Sequence, residues 1–141
     1  MQDKLVIDAN VIISSLINAG IPSKVFDLNS KLSKFDFIAP EFLMEEVKKH
    51  EDKLLKLTKF SKEEFEKTYK FLMDEITFIS KEEFSEFLTK AKELAPHDKD
   101  VPYVALSLAA NCPIFSGDKG LLNSKAEVLP PRQVLDILEA V

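Results

Sequence analysis

Asp8, Glu46, Asp98, Asp100 and Asp118 are the side chains whose types and positions could do chemistry together. Asp8 ends the apolar run Leu5-Val6-Ile7, Asp98 and Asp100 stand just before Pro102, and Asp118 follows Ile114-Phe115-Ser116-Gly117. Carboxylates gathered in one place repel: at about 5 Å and an effective dielectric near 20, each pair costs about 3 kcal/mol. Such a cluster must either take up protons or bind cations. Hard divalent ions such as Mg²⁺ or Mn²⁺ suit it, because they prefer oxygen ligands, and Mg²⁺ keeps several waters and completes its shell with substrate phosphate. Ions held in this way can activate a water and stabilise the leaving oxygen of an in-line displacement at phosphorus.

Each acid also has a plainer duty open to it. Asp8 can simply terminate a strand, Asp98 and Asp100 can cap a helix or complement its dipole, and Asp118 can serve a turn between two glycines. Between Glu45 and Glu46 the choice is geometric, since successive helical residues advance by about 100°. A stripe through Leu43, Val47 and Leu54 puts Glu46 on the flank of the buried face and Glu45 nearly opposite, which favours Glu46. Asn10 and Ser116, beside Asp8 and Asp118, are placed to orient carboxylates or a metal-bound water through hydrogen bonds, with capping or turn duty as the alternative. His50 and His97 have no partner at ligand spacing and read as structural, and Lys48, Lys49 and Lys119 are candidates for phosphate contact or plain solvated lysines.

The elements that must position these groups follow from the hydrophobic pattern. Lys4 to Asp8 reads as a strand, Asn10 to Ile17 as a helix, and Val25, Phe26 and Leu28 as a second helix before the alternating strand Phe35 to Ala39. Pro40 is expected at the first position of a long helix carrying Leu43, Val47, His50 and Leu54. Ser61 with Glu64 predicts a capping box for a helix through Phe65, Tyr69 and Leu72, and Ile76 to Ile79 is a third strand. Ser80 with Glu83 predicts a second capping box, opening a helix with Phe84, Phe87, Leu88, Ala91 and Leu94. A helix from Asp98 through Val101, Val104, Ala105 and Leu108 precedes the strand Pro113 to Ser116 and a turn at Gly117 to Gly120. Glu127 to Leu129 is a brief last strand, and Pro130-Pro131 introduces a closing helix. Strands alternating with helices imply a mostly parallel sheet covered on both faces, with function at the carboxyl ends of its strands. If the first and fourth strands are neighbours, that rule brings the acids together.

With 141 residues, 45% of them hydrophobic, the chain is expected to form a single domain over 1–141 with a sizeable core. A lone cysteine, Cys112, allows no intrachain disulfide and suggests a reducing compartment. The acidic residues around a very short apolar run at Met1 to Asp8 make neither a signal peptide nor a membrane span, so a cytoplasmic protein away from membranes is expected. A net charge of −5 argues against nucleic-acid binding by bulk electrostatics, so a nucleic-acid substrate would have to be drawn by bound cations and local lysines.

Leu5-Val6-Ile7-Asp8-Ala9-Asn10-Val11-Ile12 resembles the opening motif of PIN domains, and the run from Lys99 to Leu108 resembles their central motif. Ile114 to Leu121 is similar to their last acidic motif, and Pro130 to Leu135 to their closing segment. The likeness covers essentially the whole chain in the right order. It implies a three-layer α/β/α fold and a carboxylate site for Mg²⁺ or Mn²⁺ used to cleave single-stranded RNA. Asp8, Glu46, Asp100 and Asp118 match the family's acidic positions, with Asp98 as an accessory acid. Members of this length include VapC-type toxins, so the resemblance also implies an antitoxin partner and a homodimer. Two other functions compete with it. One is a non-catalytic module of this fold that binds RNA or protein, and the other is a phosphoacceptor domain, which would want paired acids after the first strand where Asp8-Ala9-Asn10 offers one.

Overall fold

The computed structural model of the chain describes residues 3–141; Met1 and Gln2, at the head of the N-terminal run discussed above, lie outside the described residues. The elements in chain order are β1 (Asp3–Ile7), α1 (Ala9–Ile17), α2 (Ile21–Leu32), β2 (Phe35–Pro40), α3 (Phe42–Lys49), α4 (Glu51–Leu57), α5 (Lys62–Asp74) and β3 (Ile76–Ile79). Two 3₁₀ turns (Lys81–Glu83 and Ser85–Phe87) then lead into α6 (Leu88–Leu94), and a third (Asp98–Asp100) into α7 (Val101–Ala110). β4 (Ile114–Phe115), α8 (Lys119–Leu122), β5 (Val128–Leu129) and α9 (Pro131–Glu139) complete the chain.

All strand pairs are parallel, in the order β3-β2-β1-β4-β5. β1 is central because Leu5, Val6 and Ile7 are all buried, which a strand achieves only when helices cover both faces of the sheet. Flanking helices supply that cover, giving the α/β/α layering expected of the sequence. Phe26 of α2 sets its ring edge-on to Phe37 of β2 at 5.1 Å and lies 6.1 Å from Phe115 of β4, so one aromatic cluster ties a helix to both neighbours of β1. Val6 pairs with Ile114 and Ile7 with Phe115, which makes β1 and β4 neighbours. The chain winds from β1 toward β3 on one side and continues through β4 and β5 on the other. The crevice at the carboxyl ends of β1 and β4 is therefore the topological switch point of the sheet.

Several local expectations need correction. Pro40 ends β2 instead of opening a helix, and Glu41 N–H bonds to Ile79 O at 3.2 Å beyond it. The long helix predicted from Leu43 to Leu54 is two helices, broken at His50 with φ −100° and ψ 6°. His50 N–H bonds to Val47 O in a tightened last turn, and Leu54 N–H bonds back to His50 O to start α4. The box at Ser61 forms in full, with each partner bonding the other's backbone N–H. Ser80 makes no such cap: the chain there runs through 3₁₀ turns and swings the Phe84 ring into the core. The turn expected at Gly117 to Gly120 contains the start of a short helix, α8. Among the described residues no single helix is long and apolar enough to cross a membrane, and the one apolar pair that is, α1 with α2, is bent by 102°.

Candidate carboxylate cleft

Asp8 leaves β1 and stands at the N-cap position of α1, with its N–H on Phe115 O of the adjacent strand at 3.2 Å. Ser116, the first residue beyond β4, donates its hydroxyl to Asp8 Oδ2 at 2.6 Å. The same Ser116 oxygen accepts from Asp118 N–H at 3.0 Å, and Asp118 Oδ2 accepts from Leu121 N–H at 3.0 Å as the cap of α8. Gly120 packs closely on this cap: a Cβ there would come within 3.1 Å of Asp118 Oδ2 and press on the carboxylate. Asn10 Oδ1 accepts from Gly117 N–H at 3.1 Å and ties the two strand-end loops together.

Glu46 arrives from α3 and Asp100 from the turn before α7, and both line a cleft of about 180 Å³ with Asp8, Asp118 and Asn10. Glu45 and Asp98 do not. They face a separate cavity with Glu41, Phe42, Lys81, Phe84, Leu88 and Lys92. The geometric choice of Glu46 over Glu45 is the arrangement seen, whereas Asp98, expected as an accessory acid, stands outside the cleft. The cause is local: in the 3₁₀ turn Asp98 and Asp100 sit two residues apart, which sends them in different directions. His97, not Asp98, is the residue that precedes the 3₁₀ turn, and Asp100 stands at the N-cap of α7 without a side-chain capping bond, while its charge keeps the dipole-facing position that was its plainer alternative.

The electrostatics follow from burial. Asp8 is 6% exposed and Asp100 4%. Burial pushes the Asp8 carboxyl up to about 6, the charges of Asp100, Glu46 and Asp118 push in the same direction, and the Ser116 hydrogen bond opposes them. Asp100 is also raised, by burial first and by Asp118 second, with Lys99 and His97 pulling it down. Among the described residues, Asp100 Oδ2 is the buried side-chain oxygen with no hydrogen-bond partner. A buried carboxylate oxygen left bare costs of order 1–3 kcal/mol or more.

Three cleft residues were not assigned there from sequence. His50 and Lys99 line it, the lysine bringing a positive charge, and Tyr103 donates its hydroxyl to Glu46 Oε1. Lys99 adjoins Asp100 in sequence, a spacing that sets no shared face, whereas Tyr103 follows Asp100 by three, a helical neighbour spacing that places it near the cleft without naming its partner. His50 follows Glu46 by four, the same helical neighbour distance.

The donors of this cleft are oxygens, one of them orphaned, and their charge is only partly compensated, which suits a hard divalent ion. Among the described residues, no three His, Cys, Asp or Glu side chains are gathered closely enough to hold one ion directly. The fit is therefore to an ion that keeps part of its water shell, as Mg²⁺ does.

A family model described as PIN domain matches residues 6–135. No curated protein matches the chain. Among solved structures, PAE2754 from Pyrobaculum aerophilum is similar with a TM-score of 0.73 at 16% identity, over 99% of this chain and 91% of that one. VapBC2 from Rickettsia felis, solved bound to a DNA fragment from their promoter, is similar with a TM-score of 0.62 at 12% identity, over 90% of this chain and 98% of that one. At such identities these two structures speak for the fold, while the family model spans all four acids of the cleft. This chain belongs to the PIN-domain family.

Proposed function

We propose that this protein is a metal-dependent endoribonuclease that hydrolyses phosphodiester bonds of single-stranded RNA. The observation that carries the reading is the burial of Asp8 and Asp100 in one cleft with Glu46 and Asp118, with an Asp100 oxygen left without a partner. In this reading Asp8, Glu46, Asp100 and Asp118 hold Mg²⁺ or Mn²⁺. When bound, the ion supplies Lewis acidity and a water of lowered pKa beside the scissile phosphate.

The chain's own residues do the rest. Ser116 fixes the rotamer of Asp8 across the two strand ends, and by accepting from Asp118 N–H holds the segment that carries Asp118 beside it. Lys99 lines the same cleft and supplies positive charge for phosphate oxygens that the acids would otherwise repel, and the His50 ring lies along the same lining. The presence of Lys99 answers the objection raised by the overall charge of −5, because the attraction is local.

The toxin role in a toxin–antitoxin pair is part of the same proposal, with an antitoxin protein as partner, a homodimer as the assembly and the cytoplasm as the compartment. It is supported by membership of the family and by the fold likeness to VapBC2. A second reading, a PIN-fold module that binds RNA or protein without cutting it, is favoured by the absence of three tightly grouped ligands among the described residues. The two separate cleanly with purified protein and labelled single-stranded RNA. Cleavage that needs added Mn²⁺ and stops with EDTA supports the nuclease. Binding without cleavage, indifferent to EDTA and to Asp8→Asn, supports the module.

A further inference from the structure

The carboxylates of the cleft are not held alike. Asp8 is fixed by Ser116 and Asp118 by the backbone of α8, both from the β4 side of the crevice. Glu46 comes from the other side, on a helix that packs against α1, and is only half-buried. A glutamate in that position has three side-chain torsions to fix before it can serve a shared ion, and an exposed one would spend most of its time elsewhere. Its fixed partner is the Tyr103 hydroxyl.

We propose that Tyr103 is a positioning residue that holds the Glu46 carboxylate in the cleft, so that α7, which begins directly after Asp100, also places the acid from α3. Tyr103 is 1% exposed, and its ring meets Phe42 edge-on with centroids 6.2 Å apart, so the phenol cannot follow a wandering glutamate. Phe42 is the first residue of α3 and Glu46 lies one turn further on, so ring and hydroxyl together grip the same helix. The phenol stays protonated and acts as a donor: burial and the neighbouring Glu46 and Asp8 charges all push its ionisation upward. One donated bond to Oε1 leaves Oε2 and the remaining lone pairs available. The mere packing role open to any buried tyrosine would be filled as well by phenylalanine, and that difference makes the inference testable.

The consequence for catalysis rests on the nuclease reading, whereas the placement of Glu46 does not. Tyr103→Phe removes one oxygen and keeps the ring against Phe42, so the variant is expected to fold and melt within a few degrees of the parent. Calorimetric titration with Mn²⁺ alone should show affinity falling by ~10–100-fold, the loss typical of removing a residue that orients a ligand. Cleavage should fall alongside and recover largely at high Mn²⁺. Adding Tyr103→Phe to Glu46→Ala should weaken Mn²⁺ binding no further, because with the carboxylate gone the hydroxyl has nothing left to position. Crystal structures of parent and variant give a readout free of activity: Glu46 turned out of the cleft supports the inference. Glu46 unmoved, with Mn²⁺ affinity within about twofold of the parent, overturns it. Should the parent neither bind Mn²⁺ nor cleave RNA while Glu46 still swings out in the variant, the nuclease reading fails and the tie between Tyr103 and Glu46 stands.

Discussion

Ser116 and Asp8, 108 residues apart in sequence, are joined by a hydrogen bond of 2.6 Å across the ends of two adjacent strands. The serine is fully buried and also accepts from Asp118 N–H, so one hydroxyl sets two of the acids. Ser116→Ala should lower Mn²⁺-dependent cleavage by ~10–100-fold while costing on the order of 1–3 kcal/mol of stability for the N–H left unsatisfied. The bond to Ser116 also holds the Asp8 carboxyl down. Its loss should therefore move the acidic limb of the pH–rate profile to higher pH, a shift that general destabilisation would not produce.

Asp8 itself is an acid whose site costs the fold something. With its carboxyl raised from 3.8 to about 6, the folded protein binds this proton more tightly than the unfolded chain does. The stability it contributes is complete below the unfolded value and is lost as pH rises through the folded value. Above about pH 6 the ionised group is a penalty on the order of 3 kcal/mol in the metal-free protein. Asp8→Asn should accordingly raise the metal-free melting temperature by several degrees at pH 8, leave it little changed at pH 4, and abolish cleavage. Mn²⁺ should raise the parent's melting temperature and not the variant's, which thermal unfolding with and without metal will check. At sub-saturating Mn²⁺, cleavage by the parent should climb with pH through about 6 and then level off, because protons compete with the ion.

Neighbouring acids that face different cavities provide an internal control. Asp100→Asn and Glu46→Gln alter the cleft, and each should reduce cleavage by roughly two orders of magnitude or more, because each removes a charged oxygen that holds the ion. Asp98→Asn and Glu45→Gln alter the other cavity, and rates should stay within about twofold, the usual outcome for surface changes away from a site. Equal losses in Asp98→Asn and Asp100→Asn, or in Glu45→Gln and Glu46→Gln, would mean that the separation of the two cavities has no functional meaning.

How far the sequence could be read depended on the kind of signal. β1 was legible because three consecutive apolar residues ending in Asp8 fit a strand covered on both faces. Its pairing with β4 was only conditional, since no local pattern encodes which strands become neighbours. The break at His50 was hidden because Leu43, Val47 and Leu54 are all buried on both sides of it, so the apolar period runs through the kink unchanged. Ser80 carried the right spacing for a cap, yet burying Phe84 against the core outweighed one exposed hydrogen bond. The position of Asp98 turned on a single 3₁₀ turn, and the tie from Tyr103 to Glu46 spans 57 residues; periodicity is silent on both.

The most direct test is a crystal of the protein soaked in Mn²⁺, with data collected at a wavelength where manganese scatters anomalously. One anomalous peak or a close pair in the cleft lined by Asp8, Glu46, Asp100 and Asp118, reached directly or through ordered water, is the predicted result. A cleft without a peak at saturating Mn²⁺, or manganese found only at the Glu45 and Asp98 cavity, would contradict it.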